Sequence, residues 1–82
     1  MEFVHVMWEH DLMREHDCVK YGDLRDSQGD YEKALSAYNS ALRIDPGDAD
    51  VWFDKGLTLK KMGKISEANS CIEKAINLYC GR

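Results

Sequence analysis

No run of about 18 apolar residues occurs among these 82 residues, so no segment is expected to span a membrane. Helix breakers are sparse as well: no Gly or Pro precedes Gly22, and Pro46 is the sole proline. The three cysteines are odd in number and lack a paired spacing, which argues against a disulfide framework. Cys18 and Cys71 are expected to be small core residues and Cys80 an exposed thiol. The N-terminus is acidic and His-bearing, unlike a secretory signal. An intracellular, cytoplasmic location is expected.

Signs of chemistry are equally scarce. No Ser or Cys sits in a nucleophile setting, and no glycine loop is built to cradle phosphate. His5, His10 and His16 are spaced five and six apart, whereas two ligands on one helical face need three or four. His5 and Glu9 fit i, i+4, but a structural metal site needs about four ligands. Asp23 and Asp26 form an i, i+3 pair of the kind that is usually solvated. The expectation is a non-enzymatic protein with no cofactor and no metal. Lys55, Lys60, Lys61 and Lys64 are the one basic cluster, too small to overcome an acidic N-terminal half. Lys60 and Lys61 suit a helix C-terminus instead. Nucleic acid is not an expected partner. Net charge is −4 and uneven, at −6 over residues 1–48 and +2 over 49–82. That difference reads either as a solvated surface or as polarity toward a partner.

The positive signal is a period of 34 residues. Gly22 returns as Gly56, Gly29 as Gly63, Ala34 as Ala68 and Ala41 as Ala75. Leu42 pairs with Ile76, Ile44 with Leu78, Tyr31 with Ile65 and Tyr38 with Ile72. A fixed period of this size marks a repeat architecture. Within each unit the spacing is helical: Ala34, Tyr38 and Ala41 share a face, as do Ala68, Ile72 and Ala75. Gly29 and Gly63 divide two helices per unit and can close the first by taking a positive φ. Asp45-Pro46-Gly47-Asp48 stops the second helix, and Asp48 or Asp50 can cap the next. Small Gly22, Ala34 and Ala41 allow close helix approach, and Tyr38 and Trp52 fill the wider gaps.

These residues carry a resemblance to the tetratricopeptide repeat family. The motif positions fall on Cys18, Gly22, Ala34, Tyr38, Ala41 and Pro46, then on Trp52, Gly56, Ala68, Ile72 and Ala75. The departures are Cys18 for a large aromatic, Arg25 and Lys55 at usually apolar positions, and Cys80 where a second proline would stand. The stems of Arg25 and Lys55 can lie along the core while their charges reach water. The resemblance implies an all-α fold: antiparallel helix–turn–helix repeats in a short right-handed α-solenoid with an extra N-terminal helix. The expected divisions are 1–14 for that helix or helix extension, 15–48 for unit one and 49–82 for unit two.

Two units are fewer than the three or so that a stable stack usually needs. Phe3, Val4, Met7, Trp8, Leu12 and Met13 form a stripe before the repeats. It either packs on unit one as a degenerate helix or projects onto a second chain. Ile72, Ile76 and Tyr79 form an i, i+4, i+7 stripe on the last helix, which marks an interaction face. Phe3, Met7, Trp8, Ile72, Ile76 and Tyr79 are therefore the self-association candidates, with a homodimer expected. A fragment of a longer array is the alternative.

The resemblance also implies a concave groove for a protein partner, lined by His16, Val19, Asp23, Asp26 and Ser27, then Asp50, Phe53, Leu57, Lys60 and Lys61. An apolar floor of Val19, Phe53 and Leu57 lies between an acidic and a basic end. This suits an extended peptide or amphipathic helix. The face does not supply the Lys, Arg and Asn set with which family members clamp chaperone tails.

Overall fold

A computed structural model describes residues 15–81, with the side chains of Glu15 and His16 outside the description. The described residues form helices α1 (Glu15–Ser27), α2 (Tyr31–Ile44), α3 (Ala49–Lys61) and α4 (Ile65–Tyr79). The repeat period is carried into the helix bounds. α1 ends at Ser27 and α3 at Lys61, while α2 begins at Tyr31 and α4 at Ile65. Contacts are densest within the hairpins α1/α2 and α3/α4, and α2 packs on α3 between them.

The turns follow from their residues. Gly29 and Gly63 have φ of 81° and 84°, a region that L side chains rarely enter. Each closes its helix with a pair of bonds. Gly29 N–H donates to the Asp26 carbonyl and Asp30 N–H to that of Arg25; Gly63 and Lys64 do the same toward Lys60 and Leu59. This is the Schellman arrangement, which satisfies carbonyls that the helix end leaves over. No neighbour lies within 4 Å of where a Cβ would stand on either glycine, so φ and not space selects them.

Between the hairpins, the Asp45 carboxylate accepts from Gly47 N–H at 3.2 Å. Asp48 is the cap of α3, accepting from Asp50 and Val51 N–H; the alternative that Asp50 caps is not the one adopted. The Trp52 indole N–H donates to the Pro46 carbonyl at 2.8 Å. Lys55 and Lys74 lie against the Trp52 ring, with Nζ 5.3 and 5.9 Å from its centroid.

The core is built on close helix approach. Ala34, Ala41, Ala68 and Ala75 are fully buried, and Tyr38 and Val51 nearly so. A Cβ on Gly22 would stand 2.7 Å from Tyr38 Cε1, and one on Gly56 2.6 Å from Ile72 Cγ1 and 3.1 Å from the Ala68 carbonyl. The same backbone contact thus closes both hairpins, with Tyr38 the bulky partner in one and Ile72 in the other. Cys18 and Cys71 are buried and Cys80 is exposed, as expected. Arg25 follows expectation only in part: it is half-buried and one guanidinium nitrogen donates to exposed Gln28, but the group lies over Tyr21, 5.0 Å from ring centroid to Cζ, and its Nε is buried without a partner.

Replacing Gly56 with Ala is expected to destabilise the protein by about 1–3 kcal/mol through overpacking. The better helix propensity of Ala, worth about 1 kcal/mol, should not offset this. Urea unfolding measures the difference; a gain in stability would show that α3 and α4 are not held this close.

Candidate functional site: the shared face of α1 and α3

Val19, Asp23 and Asp26 share one face of α1, at i, i+4, i+7. Asp50, Phe53, Asp54, Leu57 and Lys61 share one face of α3, at i, i+3, i+4, i+7, i+11. The packing of α2 on α3 brings the two faces side by side. Asp26 marks the seam: its carboxylate accepts from the Thr58 hydroxyl at 3.1 Å and pairs with Lys61 Nζ at 2.7 Å. Thr58 is buried and has this acceptor across the helix boundary.

The remaining carboxylates are placed by the hairpins. Tyr38 lies across Gly22, and its hydroxyl emerges to donate to Asp23 at 2.6 Å. Burial first, then that bond, pushes the Tyr38 hydroxyl pKa far above its ordinary value. Asp50, in the first turn of α3, accepts from the Tyr79 hydroxyl of α4. This bond holds Tyr79 up at about 12. Asp54 lies between these groups, half-buried, and no ion pair to it is formed among the described residues. Burial raises its pKa from 3.8 to about 6, assisted by the charges of Asp23, Asp50, Asp26 and Asp48. Lys61 is raised by its bond to Asp26. Next to the acids, Phe53 and Leu57 leave 38% and 37% of their surface open.

Among the described residues, no three or more His, Cys, Asp and Glu side chains are arranged to hold a metal ion. No described helix is long and apolar enough to cross a membrane.

Two family comparisons agree with the helical repeat architecture. A model described as TPR repeat matches residues 22–63, just over half of the chain, and one described as tetratricopeptide repeat matches residues 49–79. The chain belongs to the tetratricopeptide repeat family. It is also similar to an uncharacterized protein of Methanocaldococcus jannaschii, MJ0572. The two are 38% identical over 50 residues, 61% of this chain and 58% of that protein. The chain therefore spans less than two thirds of this relative's length. Tetratricopeptide repeats generally mediate protein–protein interaction and are typically non-enzymatic.

Of the expected groove residues, Val19, Asp23 and Asp26 lie on one face of α1 and Asp50, Phe53, Leu57 and Lys61 on one face of α3, and several candidate residues differ from expectation. Asp23 and Asp26 are not simply solvated: one accepts from a buried tyrosine and the other from a buried threonine and a lysine. The basic end is weaker than the sequence suggests, because Lys61 is taken by Asp26 and Lys60 is left exposed beside it. Ile72 belongs to the hairpin contact with Gly56 and is half-buried, so the open stripe on α4 reduces to Ile76 and Tyr79. Val19 packs against the core cluster around Tyr38 and contributes less open floor than Phe53 and Leu57. His16 falls in the first turn of α1, its side chain outside the description. Phe3, Met7 and Trp8, and also His5 and His10, lie outside the described residues.

Asp54 was not among the expected groove residues, yet it is the most perturbed carboxylate on the face. Its spacing of four from Asp50 was a usable signal. The burial of Thr58 was a second omission.

The Asp26 seam separates two magnitudes. Asp26→Ala leaves the buried Thr58 hydroxyl without its acceptor and should cost about 1–3 kcal/mol. Lys61→Ala removes only a largely exposed ion pair and should cost less than about 1 kcal/mol. Urea unfolding of both variants, with Asp26→Ala/Thr58→Val as the relief variant, tests this; equal losses in the two single variants would contradict it.

For Asp54, the folded pKa lies above the unfolded one. Between 3.8 and about 6 the native state holds a proton that the unfolded chain releases. Its contribution to stability is thus present below pH 3.8 and lost as pH rises through about 6. Asp54→Asn should therefore be more stable than the parent at neutral pH by roughly 1 kcal/mol. The gap should close on acidification toward pH 4. Paired thermal melts across this range read the difference, and a gap independent of pH would refute the assignment.

Proposed function

We propose that this protein is a peptide- or helix-binding interaction module whose α1/α3 face is the concave groove, and that it self-associates through α4. The observation that carries the first part is the pair Phe53 and Leu57. They are i, i+4 on α3, both open, and bordered by polar groups that the hairpins hold in place. A helix or extended segment with one apolar side fits such a surface. Two units offer a short groove, so one chain should bind modestly and gain from a second copy.

The self-association reading is supported by the repeat itself. Leu42 of α2 is 8% exposed under α3, whereas Ile76, one period later on α4, is 52% exposed. The position that seals the internal junction is open at the other end, with Tyr79 beside it. The same contrast favours a second reading, a segment of a longer repeat scaffold in which a further unit covers Ile76. Phe3, Met7 and Trp8 remain candidates for the dimer contact. Residues 1–14, 15–48 and 49–82 are proposed as the terminal segment and the two units. The exposed Cys80 thiol suits a cytoplasmic, reducing setting.

Light scattering coupled to size exclusion, over a range of protein concentrations in reductant, tests the self-association. A dimer that Ile76→Glu converts to a folded monomer is the expected result. A monomer at all concentrations, or a dimer indifferent to Ile76→Glu, would reject the α4 interface.

A further inference from the structure

The two hairpins answer one packing requirement with different chemistry, and the difference lands on the groove. At equivalent places, 34 residues apart, Tyr38 is paired with Asp23 and Ile72 accompanies Leu57. Where the bulky partner is a tyrosine, its hydroxyl needs an acceptor, and a carboxylate faces the groove. Where it is an isoleucine, a leucine takes that position and remains open. The face is thereby divided into an apolar patch, Phe53 and Leu57, and a carboxylate border, Asp23, Asp50 and Asp54.

The balance of charge on this border is one-sided. Asp26 and Lys61 satisfy each other at 2.7 Å. Asp48 is occupied as the α3 cap. Asp23 and Asp50 accept neutral hydroxyl donors, which leave their charges uncompensated. Asp54 sits among these four carboxylates, each of which opposes its ionisation. An approaching cation would meet the summed field of all of them next to low-dielectric ring and methyl surface, where a charge is poorly screened. An approaching anion would meet the same field with the opposite sign.

We propose that the α1/α3 face docks a cationic amphipathic protein segment, with an Arg or Lys among Asp23, Asp50 and Asp54 and an apolar side chain on Phe53 and Leu57. This rests on the groove reading above and specifies the partner's chemistry. The open apolar pair fixes where the segment lies, and charge complementarity fixes which segment it is.

Fluorescence anisotropy with three labelled helical peptides tests the proposal. They share one Leu/Phe stripe and differ only in flanking residues: Arg/Lys, Gln or Glu. The expected order is Arg/Lys tightest, then Gln, then Glu, with about tenfold or more between the extremes at moderate salt. Asp54→Asn should shrink the Arg/Lys preference several-fold. Glu67→Gln, the same loss of charge on exposed α4, should leave it unchanged. Phe53→Ala should weaken all three peptides alike. Equal binding of the Arg/Lys and Gln peptides would overturn the proposal while leaving the groove intact, provided Phe53→Ala still weakens both. Equal effects of Glu67→Gln and Asp54→Asn would overturn it in favour of a diffuse attraction to the chain's negative charge. No binding of any peptide, with amide chemical shifts of Val19, Phe53 and Leu57 unmoved, would remove the groove reading together with the proposal.

Discussion

The structure depends on how closely two helices of a hairpin can approach. Gly22 and Gly56 offer bare backbone, and Tyr38 and Ile72 occupy the space that a Cβ would need. The alanines at 34, 41, 68 and 75 repeat this economy along the same seams. A small core can thus be dense without being large, which suits a chain whose length limits how much surface it can bury. The glycine turns then follow as a geometric necessity. Helices this close need a reversal in very few residues, and a residue with positive φ supplies it.

On this frame the polar groups serve different ends. Asp26 joins the hairpins, Asp23 accommodates a buried hydroxyl, Asp48 and Asp50 dress the start of α3, and Asp54 bears the cost of the others' company. Stability and surface character are consequently linked on this face. Asp26 acts chiefly through Thr58, since a buried hydroxyl deprived of its acceptor costs more than an exposed ion pair returns. Asp54 works against the fold at neutral pH, because burial and the neighbouring carboxylates oppose its ionisation.

Much of this was legible in the sequence. The 34-residue period, the paired glycines and the alanine spacing specified the helix order, the turns and the core, because those depend on backbone sterics that residue type expresses directly. The groove residues were legible as positions on a helix face. What they do there was not. Helical spacing places Asp23 and Asp26 on a surface but says nothing of Tyr38 or Thr58, which reach them from elsewhere in the chain. Ile72 shows a related limit: spacing groups it both with Ala68 and Ala75 and with Ile76, while the hairpin crossing sets it against Gly56. Asp54 escaped notice because its environment is a sum over four other carboxylates, from α1 and from the start of α3, a quantity no single spacing reveals.

The Tyr38–Asp23 and Ile72–Leu57 alternatives have a further consequence for how such a chain can diversify. Each hairpin is a self-consistent cassette: the residue that fills the interior dictates the polarity of the residue it displays. Duplicating the first unit would extend a polar ledge, and duplicating the second an oily one, provided that the core contacts of Val51 and Trp52 with the first hairpin and of Leu35 with the second are kept. Exchange of whole units can therefore rewrite the character of the α1/α3 face in a single genetic step. A lone substitution at Asp23 would instead strand the tyrosine beneath it. Duplication of complete repeats is the easier evolutionary road open to this architecture.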